Sequence, residues 1–191
     1  MNTLRFLVSE ITEQGIPCKT DVAVNTIQPP GVEGIPLEMV SVSGTIMRVG
    51  EEFLFQGHVR GVFVHACDRC LEPAEAPFDA AVLWTFVEGA TPTLTEECGE
   101  CEAAEGADSS DRRFFQGPDI DLGPPVWEEA VLSAPVKYVC RHDCRGLCPH
   151  CGTNLNERTC DCVKEEAVLS NTGLAGLADL FPNLARKEPK E

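Results

Sequence analysis

The chain has 191 residues, 43% of them hydrophobic, with 31 acidic against 15 basic side chains and a formal net charge of −16. That length allows one ordinary core and a small appended module, and is short for two full-sized domains. The negative charge repels phosphate backbones at long range, which disfavours generic nucleic-acid binding and makes basic proteins natural partners. No run of about 18 apolar residues is present to span a membrane.

The opening stretch, MNTLRFLVSEITEQG, lacks the basic flank and long apolar run of an export signal, so a soluble, cytoplasmic protein is expected. Within residues 1–38, LRFLV and TDVAV (20–24) are short strand candidates, with Pro17, Pro29, Pro30 and Pro36 interrupting what lies between. Residues 39–67 and 78–87 are the main strands, because apolar side chains recur at every second position and so share one face of a pleated sheet. Phe53, Phe55, Val59 and Phe63 form one such face; Phe78, Ala80, Val82, Trp84 and Phe86 form another. VGEE at 49–52 is the expected hairpin turn, and Gly44, Gly57 and Gly61 inside the strand patterns point to bulges or bends where a sheet curls.

Residues 88–118 change character. EGATPTLTEECGECEAAEGADSSDRRFFQGP is acidic, small and turn-rich, and is expected to be a mobile connection that buries too little surface to offset its ordering entropy. GPPVWEEAVLSAPV then predicts a short helix stopped at Pro135, with Val126, Ala130, Val131 and Ala134 on its packed face. Near the end, Leu174, Leu177, Leu180 and Phe181 stand at helical spacing before Pro182, as in a helix covering a core edge.

The expected organisation is therefore an antiparallel β body over 1–87, the acidic connection over 88–118, and a helical segment over 119–136 packed on the body. A cysteine-rich metal module over 137–164 and a C-terminal helix and tail over 165–191 complete it. The fold class is α+β, mainly antiparallel β, as a curled sheet or partly open barrel with short helices and an appended zinc-knuckle module. Acidic and basic residues number 12 and 5 over 1–95, 9 and 2 over 96–121, and 10 and 8 over 122–191, so only the last third meets RNA easily.

Eleven cysteines suit a disulfide scaffold in a short secreted chain, but metal or redox chemistry in a cytoplasmic one. They come as pairs: Cys67/Cys70, Cys98/Cys101, Cys140/Cys144, Cys148/Cys151 and Cys160/Cys162, with Cys18 alone. Two-residue spacers let both sulfurs converge on one ion at about 2.3 Å, and two pairs complete a tetrahedral zinc shell. In CPHCG, Pro149 shapes the turn and Gly152 permits a positive φ, while the Asn residues of TNLNE turn Cys160 and Cys162 back to the same centre. One solution groups Cys148, Cys151, Cys160 and Cys162, with Cys67 and Cys70 joining Cys140 and Cys144 in a second site. The other draws a single site from the six C-terminal thiols and leaves Cys67 and Cys70 idle. One or two structural zinc ions are thus expected.

Enzyme chemistry finds little support. Cys144, Cys148 and Cys151 match the spacing of radical S-adenosylmethionine enzymes, but no large barrel follows them. Cys67/Cys70 does not open a helix as a thioredoxin-like pair would. His58, His65, His142 and His150 are scattered, and no nucleophile motif or phosphate loop appears.

CDRCLEP at a strand end, the acidic tract, DIDL before WEEAVLSAPVKYVC, and CRGLCPHCGTNLN with CDC together resemble the bacterial YceD-like family, the large ribosomal RNA subunit accumulation proteins. The resemblance covers roughly residues 40–181. It implies a non-enzymatic cytoplasmic factor needed for normal levels of large-subunit (23S) ribosomal RNA, acting in ribosome assembly or in protecting that RNA. It carries over no catalytic residues, only the metal-type cysteines. Lys137, Arg141, Arg145 and Arg158 surround the cysteine cluster and form a candidate RNA contact, with the acidic body facing a basic large-subunit ribosomal protein. The simpler role for those four cations is to balance four thiolates around a divalent ion. A protein-binding adaptor without RNA contact and, at greater distance, an iron–sulfur or redox protein are the alternatives.

Overall fold

The computed structural model describes residues 4–90 and 112–162. The Cys98/Cys101 pair and the leucine pattern at 174–181 lie outside the described residues. The chain divides into two compact units, Met1–Gly146 and Leu147–Glu191.

The first unit is built on a five-stranded sheet. Its strands are β2 (Ile16–Ala23), β3 (Met39–Val49), β4 (Glu52–Ala66), β5 (Pro73–Glu88) and β6 (Arg112–Phe115), in that spatial order. A two-stranded sheet pairs β1 (Arg5–Leu7) with β7 (Asp119–Asp121), and the helix α1 (Gly123–Leu132) follows. The architecture is mainly antiparallel β with short helical elements, and the sheet is open among the described residues. No described helix is long and apolar enough to cross a membrane.

Period-2 alternation sets the sheet. Phe53, Phe55, Val59 and Phe63 of β4 and Val82, Trp84 and Phe86 of β5 are all buried, with Phe78 and Ala80 packed against them. β3 and β4 are joined by the tight turn expected at 49–52, where Gly50 takes a left-handed φ of 64° and Arg48 Nε donates to its carbonyl at 3.0 Å. The core continues from this sheet face into Leu4, Ile120, Leu122, Val126, Trp127 and Ala130. Phe55 stacks on Trp84 with centroids 5.4 Å apart.

Several expectations are corrected. The β3–β4 and β4–β5 registers run without a bulge. Gly44 and Gly57 instead face each other across the ladder, where a Cβ on Gly44 would lie 2.8 Å from the Phe55 ring and collide with the Gln56 carbonyl. They are glycines because the ring and two strands occupy that space. Pro17 lies within β2 rather than interrupting it, which an edge strand tolerates since one side of its backbone has no ladder to feed. Residues 112–115, assigned to the mobile connection, form β6, parallel to β5. Its apolar and aromatic-contacting side chains explain this: Phe115 meets Phe53 edge-on at 5.8 Å, and the Arg113 guanidinium lies over Trp84 at 5.7 Å while bonding Glu128 at 2.6 Å. On α1 the buried residues include Val126, Trp127 and Ala130, whereas Val131 is 41% exposed. Residues 137–146 belong to the first unit and not to a separate module.

The second unit is described over residues 147–162, a short cysteine-rich turn structure opened by a bridge between Leu147 and Asn154.

Candidate metal centres

The β4–β5 hairpin ends in CDRCLE. Cys67 N–H donates to the Glu72 carbonyl at 2.7 Å and Leu71 N–H to the Cys67 carbonyl at 2.9 Å, closing a knuckle whose fifth residue, Leu71, sits at φ 65°. The chain leaving α1 is laid beside this knuckle by two reciprocal bonds: Asp68 N–H to the Tyr138 carbonyl at 2.9 Å, and Tyr138 N–H to Asp68 Oδ2 at 2.7 Å. The Tyr138 ring is anchored 4.9 Å from His65 and 6.4 Å from Phe63. Arg69 Nη1 then donates to the Cys144 carbonyl at 3.0 Å. Gly146, at φ 75°, passes so close that a Cβ would lie 2.9 Å from the Arg69 carbonyl.

These contacts bring Cys67, Cys70, Cys140 and Cys144 together, all four sulfurs within 4.8 Å of one another. Cys67 Sγ stands 3.9 Å from Cys144 Sγ and Cys70 Sγ 3.5 Å from Cys140 Sγ. A disulfide needs about 2.05 Å, and all the described cysteines are free. Sulfurs held about 2.3 Å from a zinc ion at tetrahedral angles stand about 3.8 Å apart, so the spacing fits a four-sulfur metal shell. Arg69 N–H points at Cys67 Sγ at 3.4 Å, as a backbone amide does when it offsets thiolate charge.

The second unit repeats the device. Cys148 N–H donates to the Thr153 carbonyl at 2.8 Å and Gly152 N–H to the Cys148 carbonyl at 2.9 Å, with Gly152 at φ 70°. Thus CPHCGT and CDRCLE share one hydrogen-bond pattern, differing in that the left-handed position holds glycine in one and leucine in the other. Asn154 organises the return: its carbonyl accepts from Glu157 and Arg158 N–H at 3.2 Å, and its Oδ1 accepts from Asn156 N–H at 3.1 Å. Cys148, Cys151, Cys160 and Cys162 form the second group, also within 4.8 Å. The first group is nearly all buried, whereas in the second Cys151 is exposed and Cys160 and Cys162 are half-buried.

Each group pushes its thiols apart. Cys67 is brought down to about 6, chiefly by the Cys140 backbone N–H that bonds it, while burial pushes Cys140 up to about 12. Cys151 comes down to about 6, chiefly through its side-chain hydrogen bond with Thr153, whose hydroxyl oxygen lies 3.2 Å from its sulfur. Its hydrogen bond with Cys151 pushes Cys162 up to about 12. Four adjacent thiols do not all ionise against one another, and a group of this kind is able to exchange the protons it keeps for a metal ion.

The candidate RNA contacts are exposed but split: Lys137, Arg141 and Arg145 belong to the first unit and Arg158 to the second. Arg141 pairs with Asp143 at 3.6 Å. Neither His142 nor His150 joins a sulfur group. Sequence reasoning missed Leu71, Arg69, Tyr138 and Gly146. For Leu71 a signal existed, since CDRCL superimposes on CPHCG.

Fold and sites together define a class: an open β-sheet protein with two four-cysteine knuckle groups, each able to hold a metal ion. The profile described as "Large ribosomal RNA subunit accumulation protein YceD" matches residues 55–181, and the chain belongs to the YceD family. An uncharacterized protein of Mycobacterium tuberculosis strain H37Rv is 32% identical over 130 residues, covering 65% of this chain and 57% of that protein. The chloroplastic large ribosomal RNA subunit accumulation protein YCED homolog 1 of Arabidopsis thaliana is 27% identical over 171 residues, 78% of this chain and 50% of that one. The homolog of the same name from Zea mays is 29% identical over 178 residues, with coverages of 84% and 59%. The chain thus spans about half to three fifths of the length of these relatives. No solved structure gives a significant match.

Proposed function

We propose that this chain is a non-enzymatic cytoplasmic factor supporting the accumulation of large-subunit ribosomal RNA during ribosome assembly, with structural zinc in both cysteine groups. The observation that carries this reading is the pair of four-sulfur groups, each with its sulfurs within 4.8 Å of one another and the first with sulfurs 3.5 and 3.9 Å apart, in a chain of the YceD family. Cys67, Cys70, Cys140 and Cys144 hold one ion, and Cys148, Cys151, Cys160 and Cys162 the other. Four protein ligands leave no open coordination position for a substrate, which makes these structural and not catalytic centres. The ions lock the knuckles, so that side chains beside them have little entropy left to lose on binding. Lys137, Arg141, Arg145 and Arg158 supply the phosphate contacts, and the acidic body receives a basic large-subunit ribosomal protein. The Arg141 to Asp143 pair favours a second reading, in which these cations balance the sites and binding is to protein alone.

Metal analysis of purified protein, paired with RNA crosslinking, tests this. About two zinc ions per chain are expected, falling to one in Cys67→Ser/Cys70→Ser. Arg145→Glu/Arg158→Glu is expected to reduce crosslinking to large-subunit RNA several-fold. A brown iron protein, or a chain that binds no zinc, overturns the metal reading; unchanged crosslinking overturns the RNA contact.

A further inference from the structure

The two knuckles are built alike, and the residue in which they differ is informative. At the left-handed position the second knuckle has Gly152, for which φ 70° is unstrained; the first has Leu71 at φ 65°. Leu71 is the only non-glycine residue with positive φ among the described residues. A leucine there brings its Cβ against the following carbonyl, and strain of this kind persists where the surroundings over-determine it and clusters at functional positions. Packing does not repay it, because Leu71 is 67% exposed. The same fold element uses glycine elsewhere in the molecule, so the geometry does not demand the side chain.

The surroundings of Leu71 show what it suits. Glu72 follows it directly and is exposed, as is Glu75 on β5. In the β4–β5 register Glu75 lies opposite Val64, which is 54% exposed, and Val62 on the same outward face is 43% exposed. The basic residue of the knuckle, Arg69, is turned to the Cys144 carbonyl. The tip is therefore an exposed apolar side chain on a hydrogen-bonded turn, followed in the chain by the exposed carboxylates of Glu72 and Glu75, with exposed valines further along β4. Carboxylates at the rim repel phosphate, so this surface does not fit RNA; an apolar socket edged by lysine and arginine complements it in shape and charge. The chain's net charge of −16 steers the same class of partner toward it.

We propose that the first knuckle is a protein-docking tip in which Leu71, followed by the exposed Glu72 and Glu75, inserts into an apolar pocket of a basic protein. This rests on the ribosome-assembly reading above, and deepens it by assigning the protein contact to this tip and leaving any RNA contact to other surfaces.

The test exploits opposite signs. Full-length zinc-loaded protein is immobilised and challenged with RNA-free total protein from purified large ribosomal subunits, and affinity for the retained basic protein is measured. Leu71→Gly relieves the backbone, raising the melting temperature by about 2 °C. It also removes the knob, weakening binding by about tenfold or more. Leu71→Met keeps an apolar side chain and retains most binding, while Glu72→Lys/Glu75→Lys weakens it about tenfold and removes its weakening by salt. A Leu71→Gly variant that is more stable and binds as well as the parent overturns the tip while leaving the assembly reading standing. A parent that retains none of these proteins overturns the tip and the ribosomal-protein partner together. Loss of RNA crosslinking without loss of protein binding in Leu71→Gly also overturns it.

Discussion

Breaking the first sulfur group at Cys140 is expected to unfold far more than the segment that carries it. The group ties the β4–β5 turn at residues 67–70 to residues 140–144, beyond α1. Treated as a cross-link on the unfolded chain, a closed loop of about 70 residues removes enough entropy to stabilise the fold by about 4 kcal/mol, against about 2.6 kcal/mol for the loop of about nine residues between Cys151 and Cys160. For a domain of this size, the loss of the longer closure lowers the melting temperature by about 10 °C. Both tryptophans report on it, since Trp84 and Trp127 are 6% and 5% exposed in the core of the first unit. Zinc-loaded Cys140→Ser is thus compared with Cys151→Ser by tryptophan fluorescence melting. The first is expected to lose the cooperative transition near its parental temperature, and the second to keep it. A Cys140→Ser variant that melts within about 2 °C of the parent shows that the sulfur group does not brace the sheet, and refutes the reasoning.

Gly44→Ala is expected to cost about 2–3 kcal/mol in urea unfolding, because its Cβ meets the Phe55 ring and strand backbone, whereas Gly50 has nothing within 4 Å and its alanine variant pays only the left-handed backbone cost of about 1–2 kcal/mol; equal midpoints would dismiss the packing explanation. Asp79 accepts from Arg60 at 2.8 Å and lies 2.6 Å from His58, and these bonds, Arg60 first, hold its carboxyl below the usual range. A depressed folded value stabilises above the unfolded value of about 3.9 and is lost as pH falls through the folded one. Asp79→Asn should therefore be slightly less stable at neutral pH, with the gap closing on acid titration; a gap that widens in acid contradicts the assignment.

The sheet was legible where one rule decides the outcome. Alternation from Phe53 to Phe63 and from Val82 to Phe86 places those side chains on one face whatever the neighbours, and VGEE leaves room only for a tight turn. The cysteine pairs were legible as groups able to hold a metal ion, and the two-site grouping was among the expected solutions, but choosing it required knowing that the β4–β5 turn lies beside the chain leaving α1. That proximity comes from the two bonds between Asp68 and Tyr138, one backbone to backbone and one to the Asp68 carboxylate, which have no local signature. β6 is four residues long and sits at the edge of an acidic tract, so composition outweighed its two phenylalanines. The glycines misled for a similar reason: a glycine that admits a ring looks, in sequence, like one that bends a strand. Leu71 was missed because leucine carries no turn signal, although the parallel with CPHCG showed where to look.

The span between the two halves of the first sulfur group also has a consequence during synthesis. A ribosome adding about 5–20 residues per second delivers Cys67 and Cys70 some 4–14 seconds before Cys140, whereas the second group is complete within about 3 seconds of its first cysteine. For that interval the nascent hairpin presents two thiols at its end whose partners in the group have not yet been made. Translation speed across residues 71–144 therefore sets how long those thiols stand open to oxidation or to a stray metal.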